Sequence, residues 1–379
     1  MSINNDFQYK TISSRQEIEN PFFSILIPHY RYPDHFRKGL ESVLSQNFKD
    51  FEVIVSDDCS PCNSHKQVDL LFLSSDCDYS YIRHDSNQGY DRNVRFLISK
   101  ARGKYVFLLG NDDALNDEST LEQLLESLTN LQFPQVAFTS YSDYHTGKYF
   151  NRARETKVIG SGYQVAAKIF RAFSFVSGLI FDRALAQKHV TSTWDSSVYY
   201  QFYLATKIIC ERFEVASISI DAVRHNITVD GAVVATARKV VDTNYGFGLQ
   251  YNGTISVLRV VLNTIRSYVP SGKESKVFTK IFIQVLLVSY PVTVINYRTR
   301  RNWQYAFGVV RRMSPSYTLP EYILPIPDDI HALFSVTFSD LLKVKSAYYL
   351  SSVLSLTIPL VVFRRVSPFL SRFVRKIQQ

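Results

Sequence analysis

The sequence is poor in cysteine and has no stretch of biased composition. Its 379 residues include four cysteines, Cys59, Cys62, Cys77 and Cys210. That is too few, and too irregular a spacing, for a disulfide framework. Cys59 and Cys62 have CxxC spacing, which leaves a zinc or redox pair open beside the simpler reading of reduced thiols in a cytosolic protein. The first twenty residues, MSINNDFQYKTISSRQEIEN, lack the apolar core of a secretory signal and read as a mobile tail. There is no internal repeat and no low-complexity segment.

What is present is a chain that folds. At 46% hydrophobic and 14% aromatic it is not a disordered polymer, and its length allows two domains. A net charge of +9 admits nucleic acid, an anionic membrane surface or phosphorylated ligands as partners. Nucleic acid is the poorest of these, because the basic excess lies largely beside apolar segments of the last third and not in a binding motif.

The N-terminal part alternates strand and helix. Strands are predicted at 22–28, 51–55, 79–83 and 105–109, with helices at 34–46, 68–73 and 91–101 between them. A β-α-β-α-β-α-β order favours a parallel, right-handedly wound sheet. Two of these strands end in paired carboxylates, Asp57-Asp58 and Asp112-Asp113. In an open α/β sheet, ligands bind at the carboxyl ends of the strands. Adjacent carboxylates repel unless a cation is shared between them, and hard oxygen ligands suit Mg²⁺ or Mn²⁺, which bring phosphates with them. One such pair alone reads as a solvated acidic loop; two at corresponding strand ends point to a shared site. Further elements are expected as a helix at 119–128, a strand at 135–139, a polar excursion at 141–154, a helix at 162–172, a strand at 175–181, helices at 184–189 and 197–210, a strand at 215–220 and a loop at 223–226.

Three stretches, FSILIPHY, LESVLSQNFKDFEVIVSDDCS and NQGYDRNVRFLISKARGKYVFLLGNDDAL, stand in the order and spacing of the family 2 glycosyltransferases. From about residue 22 to 226 the chain resembles that family, of the bacterial O-antigen or capsule type. The resemblance implies an A-type, Rossmann-like mixed sheet flanked by helices. It implies that Tyr30, after Pro28, stacks on the nucleotide base, that Asp58 reads the base with Asp57 beside it, that Arg92 lies near the diphosphate and that Asn111 meets the ribose. Asp112 takes the metal position with Asp113 adjacent, although Gly110 stands where the family's fullest motif has a leading Asp. Asp195 matches the position of the catalytic base, with Trp194 where Glu often stands; the plainer reading of Asp195 is a helix cap. Asp182 is a poorer candidate for the base. His225 is a candidate for phosphate or metal, against the commoner case of a loop histidine that binds neither. His29 and His84 read as bystanders.

Beyond about residue 236 the pattern becomes apolar and helical. Residues 281–297 and 347–363 carry no charge and are flanked by Lys343, Lys345, Arg298, Arg300, Arg301, Arg364 and Arg365. Pro291 and Pro359 interrupt them. Core helices, interfacial helices and membrane spans are the three readings, in that order. The expected organisation is a tail at 1–20, a catalytic domain at 21–235 and a helical, membrane-associating region at 236–379. The expected activity is metal-dependent, inverting transfer of a sugar from a nucleotide-diphosphate donor to a glycan hydroxyl, with Mn²⁺ or Mg²⁺. The acceptor is expected to be lipid-linked, met at the inner face of the cell membrane. The other readings are a non-catalytic nucleotide-sugar-binding protein on the same scaffold and, more distantly, a nucleotidyltransferase. The latter would carry a glycine-rich basic loop after the first strand, where Pro28-His29-Tyr30 stands.

Overall fold

The structure, a computed structural model, describes residues 7–229, 232–233, 253–299, 303–313, 338–359, 362 and 365. The chain divides into two compact units, Met1–Val165 with Ile169–Lys239, and Ala166–Lys168 with Val240–Gln379.

The first unit is built on one mixed sheet. Its strands are β1 (Tyr9–Arg15), β2 (Phe23–His29), β3 (Phe51–Asp57), β4 (Asp78–His84), β5 (Tyr105–Leu108), β6 (Ala114–Leu115), β7 (Val136–Asp143), β8 (Tyr149–Phe150), β9 (Lys157–Gly160), β10 (Leu179–Asp182) and β11 (Val215–His225). The helices between them are α1 (Pro33–Leu44), α2 (Ser64–Leu73), α3 (Tyr90–Lys100), α4 (Thr120–Asn130), α5 (Tyr163–Ile169), α6 (Arg183–Lys188) and α7 (Tyr200–Cys210). The strand order is β1-β4-β3-β2-β5-β10-β7-β11-β6. β4, β3, β2 and β5 run parallel, and β10 enters antiparallel between β5 and β7. The central strands are buried on both faces, from Ile25, Leu26 and Ile27 through Val53, Ile54 and Val55 to Val106, Phe107 and Leu108. That is why they read as unbroken apolar runs.

Three expectations are corrected. Residues 9–15 are not a mobile tail. They form an edge strand antiparallel to β4, tied down where Glu17 and Ile18 N–H donate to the Asp78 carboxylate at 2.8 and 2.9 Å. An edge strand faces solvent, so it needs no apolar run and left none to read. The loop expected at 223–226 is mostly strand: β11 runs to His225, beside β7, with irregular register around Asp221 that broke the alternation. The helix expected from residue 197 begins at Tyr200.

The second unit is helical. Its elements are α8 (Gly253–Arg266), α9 (Glu274–Gln284), α10 (Tyr290–Thr299), α11 (Trp303–Met313) and α12 (Phe338–Thr357). α9 and α10 join through a π-helical turn at Val285–Ser289 into one helix, which therefore passes through Pro291. A proline ring clashes with the carbonyl four residues back, and a wider turn just before it relieves the clash. Glu274–Arg298 is long and apolar enough to cross a bilayer, but 67% of its most apolar window is buried inside the structure. That burial fits the core-helix reading of 281–297. Tyr290 shares a hydrogen bond with Ser352 of α12 at 2.7 Å, and Tyr348 donates to the Val310 carbonyl at 2.8 Å. α12 stops short of Pro359; the last part of the 347–363 stretch lies largely outside the described residues.

Candidate active site

The parallel strands reverse their direction of progression at β2, with β3 on one side and β5 on the other. A crevice opens at the carboxyl ends of strands at such a switch point. His29-Tyr30 ends β2, Asp57-Asp58 ends β3, and Gly110-Asn111-Asp112-Asp113 follows β5. Asn111 ties two of these ends together: its Nδ2 lies 3.2 Å from His29 Nδ1 and 3.3 Å from the carbonyls of Tyr30 and Arg31. His29 is therefore no bystander. Burial lowers its pKa to about 4, so the ring is neutral and can accept from Asn111. Tyr30 lies in the same loop under the Arg31 guanidinium, 4.9 Å from ring centre to Cζ, and Pro28 is the last residue of β2 but one.

The carboxylates of Asp112 and Asp113 converge. A Cβ placed on Gly110 would sit 3.0 Å from Asp113 Oδ2, 3.3 Å from Ser177 Oγ and 3.4 Å from Asp112 Oδ1. Gly110 thus leaves room for Asp113 to fold back to where a side chain at 110 would project, which gives a physical sense to the missing leading carboxylate. Asp113 is held by Ser177, whose hydroxyl donates to Oδ2 while accepting the Gly110 N–H at 2.8 Å, and by the Asn226 N–H on Oδ1 at 3.3 Å. Burial raises the Asp112 pKa to about 6, and raises that of Asp113 well above the usual range, with Asp112 adding to it. Two poorly solvated carboxylates facing one point are a fit for a divalent cation that takes its remaining ligands from phosphate oxygens. His225 does not join them. Its ring is set edge-on against Tyr141 and Phe150, at 5.3 and 5.2 Å, and its Nε2 faces Asp143 Oδ2 at 3.6 Å. Among the described residues no three His, Cys, Asp or Glu side chains converge as a metal cluster.

The raised pKa has a consequence for stability. The folded protein holds a proton on Asp112 up to about pH 6, whereas an unfolded chain releases it near 3.8. Stability is therefore lost as pH rises through that window. Asp112→Asn has no such proton to lose. Its melting temperature is expected to gain on that of the native chain from about pH 4 to about pH 6 and then level off, by roughly 1–3 kcal/mol in stability. Thermal melts of both proteins from pH 4 to 8 without divalent cation check this; a gap that shrinks as pH rises contradicts it.

Asp57 and Asp58 part company. Asp57 is fully buried and bonds inward, accepting from Tyr81 Oη and Arg83 Nη1, both at 3.0 Å, and from Ser60 N–H at 2.7 Å. It supports the strand end and does not face a base. Asp58 accepts the N–H of Gln88 and, at 2.9 Å, that of Gly89, which fixes the loop leading into α3. Burial raises its pKa to about 6 against those bonds. Each of its oxygens keeps one lone pair.

Asp195 is not a helix cap: it lies five residues before α7. It forms a bidentate ion pair with Arg95, Oδ1 to Nε 3.1 Å and Oδ2 to Nη2 2.7 Å, and Arg92 Nε stands 3.9 Å from Oδ2. Arg95 is 3% exposed and Asp195 16%, so the pair is oriented from inside and reachable from outside. The helix start is capped instead from across the chain, because Asp91 accepts the N–H groups of Val198 and, at 3.0 Å, Tyr200. Asp182, the poorer candidate, caps α6 by accepting from Leu185 N–H. The sequence reading missed Arg95, Asp91 and Ser177. Arg95 had a signal: it is a charge inside the run Val94, Phe96, Leu97 and Ile98 of α3, and a charge buried in such a run requires a partner.

Comparison with known proteins bears on the family profile and the fold. Residues 24–189 match the sequence profile of "Glycosyl transferase family 2". The chain is 30% identical over 95 residues to a GalNAc(5)-diNAcBac-PP-undecaprenol beta-1,3-glucosyltransferase of Campylobacter jejuni, 25% of this chain and 31% of that one. It is 30% identical over 112 residues to the abequosyltransferase RfbV of Salmonella typhimurium, 28% of this chain and 34% of that one. It thus spans about a third of the length of these curated relatives. The crystal structure of S. aureus TarS 1–349 in complex with UDP-GlcNAc is similar over 88% of this chain and 91% of that one, with a TM-score of 0.55 and 15% identity. Identity that low shows a common fold alone. The fold is that of the A-type glycosyltransferases. The profile match holds the strand ends and both DD pairs; Asp195 and β1 lie outside it.

Proposed function

We propose that this protein is an inverting glycosyltransferase of family 2 that moves a sugar from a nucleotide-diphosphate donor to a glycan hydroxyl in surface polysaccharide synthesis. The observation that carries the proposal is the convergence of the Asp112 and Asp113 carboxylates beside Gly110, at the switch point of the sheet. Tyr30 offers a ring to the base, Asp58 an acceptor to a base N–H, and Asn111 an amide to the ribose. Asp112 and Asp113 would hold Mn²⁺ or Mg²⁺, which would supply positive charge beside the donor diphosphate. Arg92 adds to that charge. Asp195 takes the proton of the attacking hydroxyl, a contribution of about 10²–10⁴-fold in rate. Asp57 supports the strand end, and His225 backs the Asp112-Asp113 turn through its neighbour Asn226.

The name of the Campylobacter relative, with an undecaprenol-linked acceptor, favours a lipid-linked acceptor here as well. On α12, Leu342, Tyr349, Leu350 and Val353 are exposed next to Lys343 and Lys345. An apolar face with basic residues suits the anionic inner surface of the cell membrane. A second reading, binding of the donor without transfer, is favoured by one observation: Asp195 already engages two arginines.

The test is a melting-temperature screen of nucleotide diphosphates with and without Mn²⁺, followed by donor turnover with glycan acceptors. One nucleoside diphosphate is expected to raise the melting temperature, about 2.7 kcal/mol of stabilisation at a hundredfold excess over its dissociation constant, and to require the cation. Binding without hydrolysis or transfer selects the second reading; binding of none overturns both.

A further inference from the structure

The strap that precedes β2 lies over the charged cluster of the site. Phe7, just ahead of β1, is 7% exposed. Its ring packs against Phe96 at 5.0 Å and His84 at 5.7 Å between centroids. The guanidinium carbons of Arg92 and Arg95 both lie over it, 5.4 and 5.0 Å from its centre. These are the two arginines that engage Asp195. One ring, on a residue outside the profile match, therefore covers two cations that lie inside it.

We propose that Phe7 is a positioning residue: its ring face fixes the Arg92 and Arg95 guanidinia, and Arg95 in turn orients the Asp195 carboxylate. The functional part rests on the roles proposed above for Arg92 and Asp195. Two physical arguments support it. A guanidinium over an aromatic face keeps its in-plane N–H groups free for a carboxylate, so ring contact and ion pair act together on Arg95. A flexible side chain held in one rotamer also loses no freedom when the reaction needs it there.

The anchoring of the strap separates this role from that of a removable lid. β1 pairs with β4 from Tyr9 to Arg15. Lys100 donates to Tyr9 Oη at 2.7 Å, and Arg15 donates to the carbonyls of Ser75 and Cys77. Asp78 then holds Glu17 and Ile18, and Arg102 donates to the Ile18 carbonyl at 2.7 Å. A segment that opens in each turnover is drawn from the weakly bonded parts of a fold, and this one is bonded along its length.

The decisive variants are Phe7→Leu, which keeps apolar bulk without a ring face, and Phe7→Tyr, which keeps the face. Both are made in the full chain, and melting temperatures confirm that they fold. The first readout needs no substrate: water exchange of the Arg95 Nε–H by nitrogen-15 NMR, with the resonance assigned by its loss in Arg95→Lys. Phe7→Leu is expected to speed that exchange about fivefold to tenfold and Phe7→Tyr to leave it near the native rate. The second readout is turnover: kcat falls by a similar factor in Phe7→Leu, and the loss disappears in an Asp195→Asn background, since coupled residues are not additive. Native exchange in Phe7→Leu overturns the proposal. So does a rise in kcat, which would make the strap a lid. If the native protein turns over no donor, the proposed activity fails while the exchange measurement still decides whether Phe7 positions Arg95.

Discussion

Asp112→Asn is expected to lower kcat for sugar transfer by at least about 10²–10³-fold while leaving the fold intact. The two effects separate because the same burial acts in opposite directions on them. Asp112 is a carboxylate with its pKa pushed up to about 6 in a site that solvates it poorly. It is costly to the protein at neutral pH and, on the proposed mechanism, useful only when a cation and a diphosphate arrive. An asparagine of equal size removes the charge and the cost together. The melting temperature at neutral pH without cation should therefore stay level or rise. The rise that Mn²⁺ and a nucleoside diphosphate give the native chain should be lost. Turnover assays and melts on the same preparations test this, and full turnover by Asp112→Asn with divalent cation present removes the proposed mechanism. Asp113→Asn should move the same way, with an added disturbance of Ser177, which donates to Asp113 and accepts from Gly110.

Gly39→Ala is the second large effect, and it lies in the middle of α1. Alanine is the better helix former by about 1 kcal/mol, so α1 alone predicts a gain. The packing reverses the sign. A Cβ at residue 39 would sit 2.5 Å from the backbone oxygen of Asp113 and 3.5 Å from Ile227 Cδ1. Ile227 N–H in turn bonds the Asp112 carbonyl at 2.9 Å, so α1 presses directly on the turn that aims the carboxylates. A backbone oxygen in a bonded turn cannot swing away as a side-chain tip can. The expected outcome is a loss of roughly 1–3 kcal/mol in denaturant unfolding and, in the folded variant, weaker binding of cation plus nucleotide, on the order of tenfold. A stabilised variant with native affinity would show that the turn is not held where α1 now holds it.

The legible and illegible parts of this chain divide by physical range. β2, β3 and β5 are covered on both faces, so each announces itself as an apolar run closed by turn residues, and the carboxylates after β3 and β5 are placed by those strands. β1 has an open edge and one wet face, and YKTISSR carries no such signal. The difference between Asp57 and Asp58 was invisible for another reason: it is set by donors on a neighbouring strand. Asp57 turned inward because Arg83, its partner in register, and Tyr81 on β4 donate to it. Asp195 was placed near the site by its resemblance alone. Its partner Arg95 lies 100 residues away in sequence.

The sequence by itself determined that a parallel α/β unit would form and that paired acidic groups would stand at two of its strand ends, since strand periodicity and turn chemistry act over a few residues. Only the tertiary structure decided which of those acids face a common point, which are bonded into the protein, and which arginines hold Asp195. Those outcomes depend on burial and on partners brought together by sheet order, and neither burial nor a distant partner is a property of the local chain.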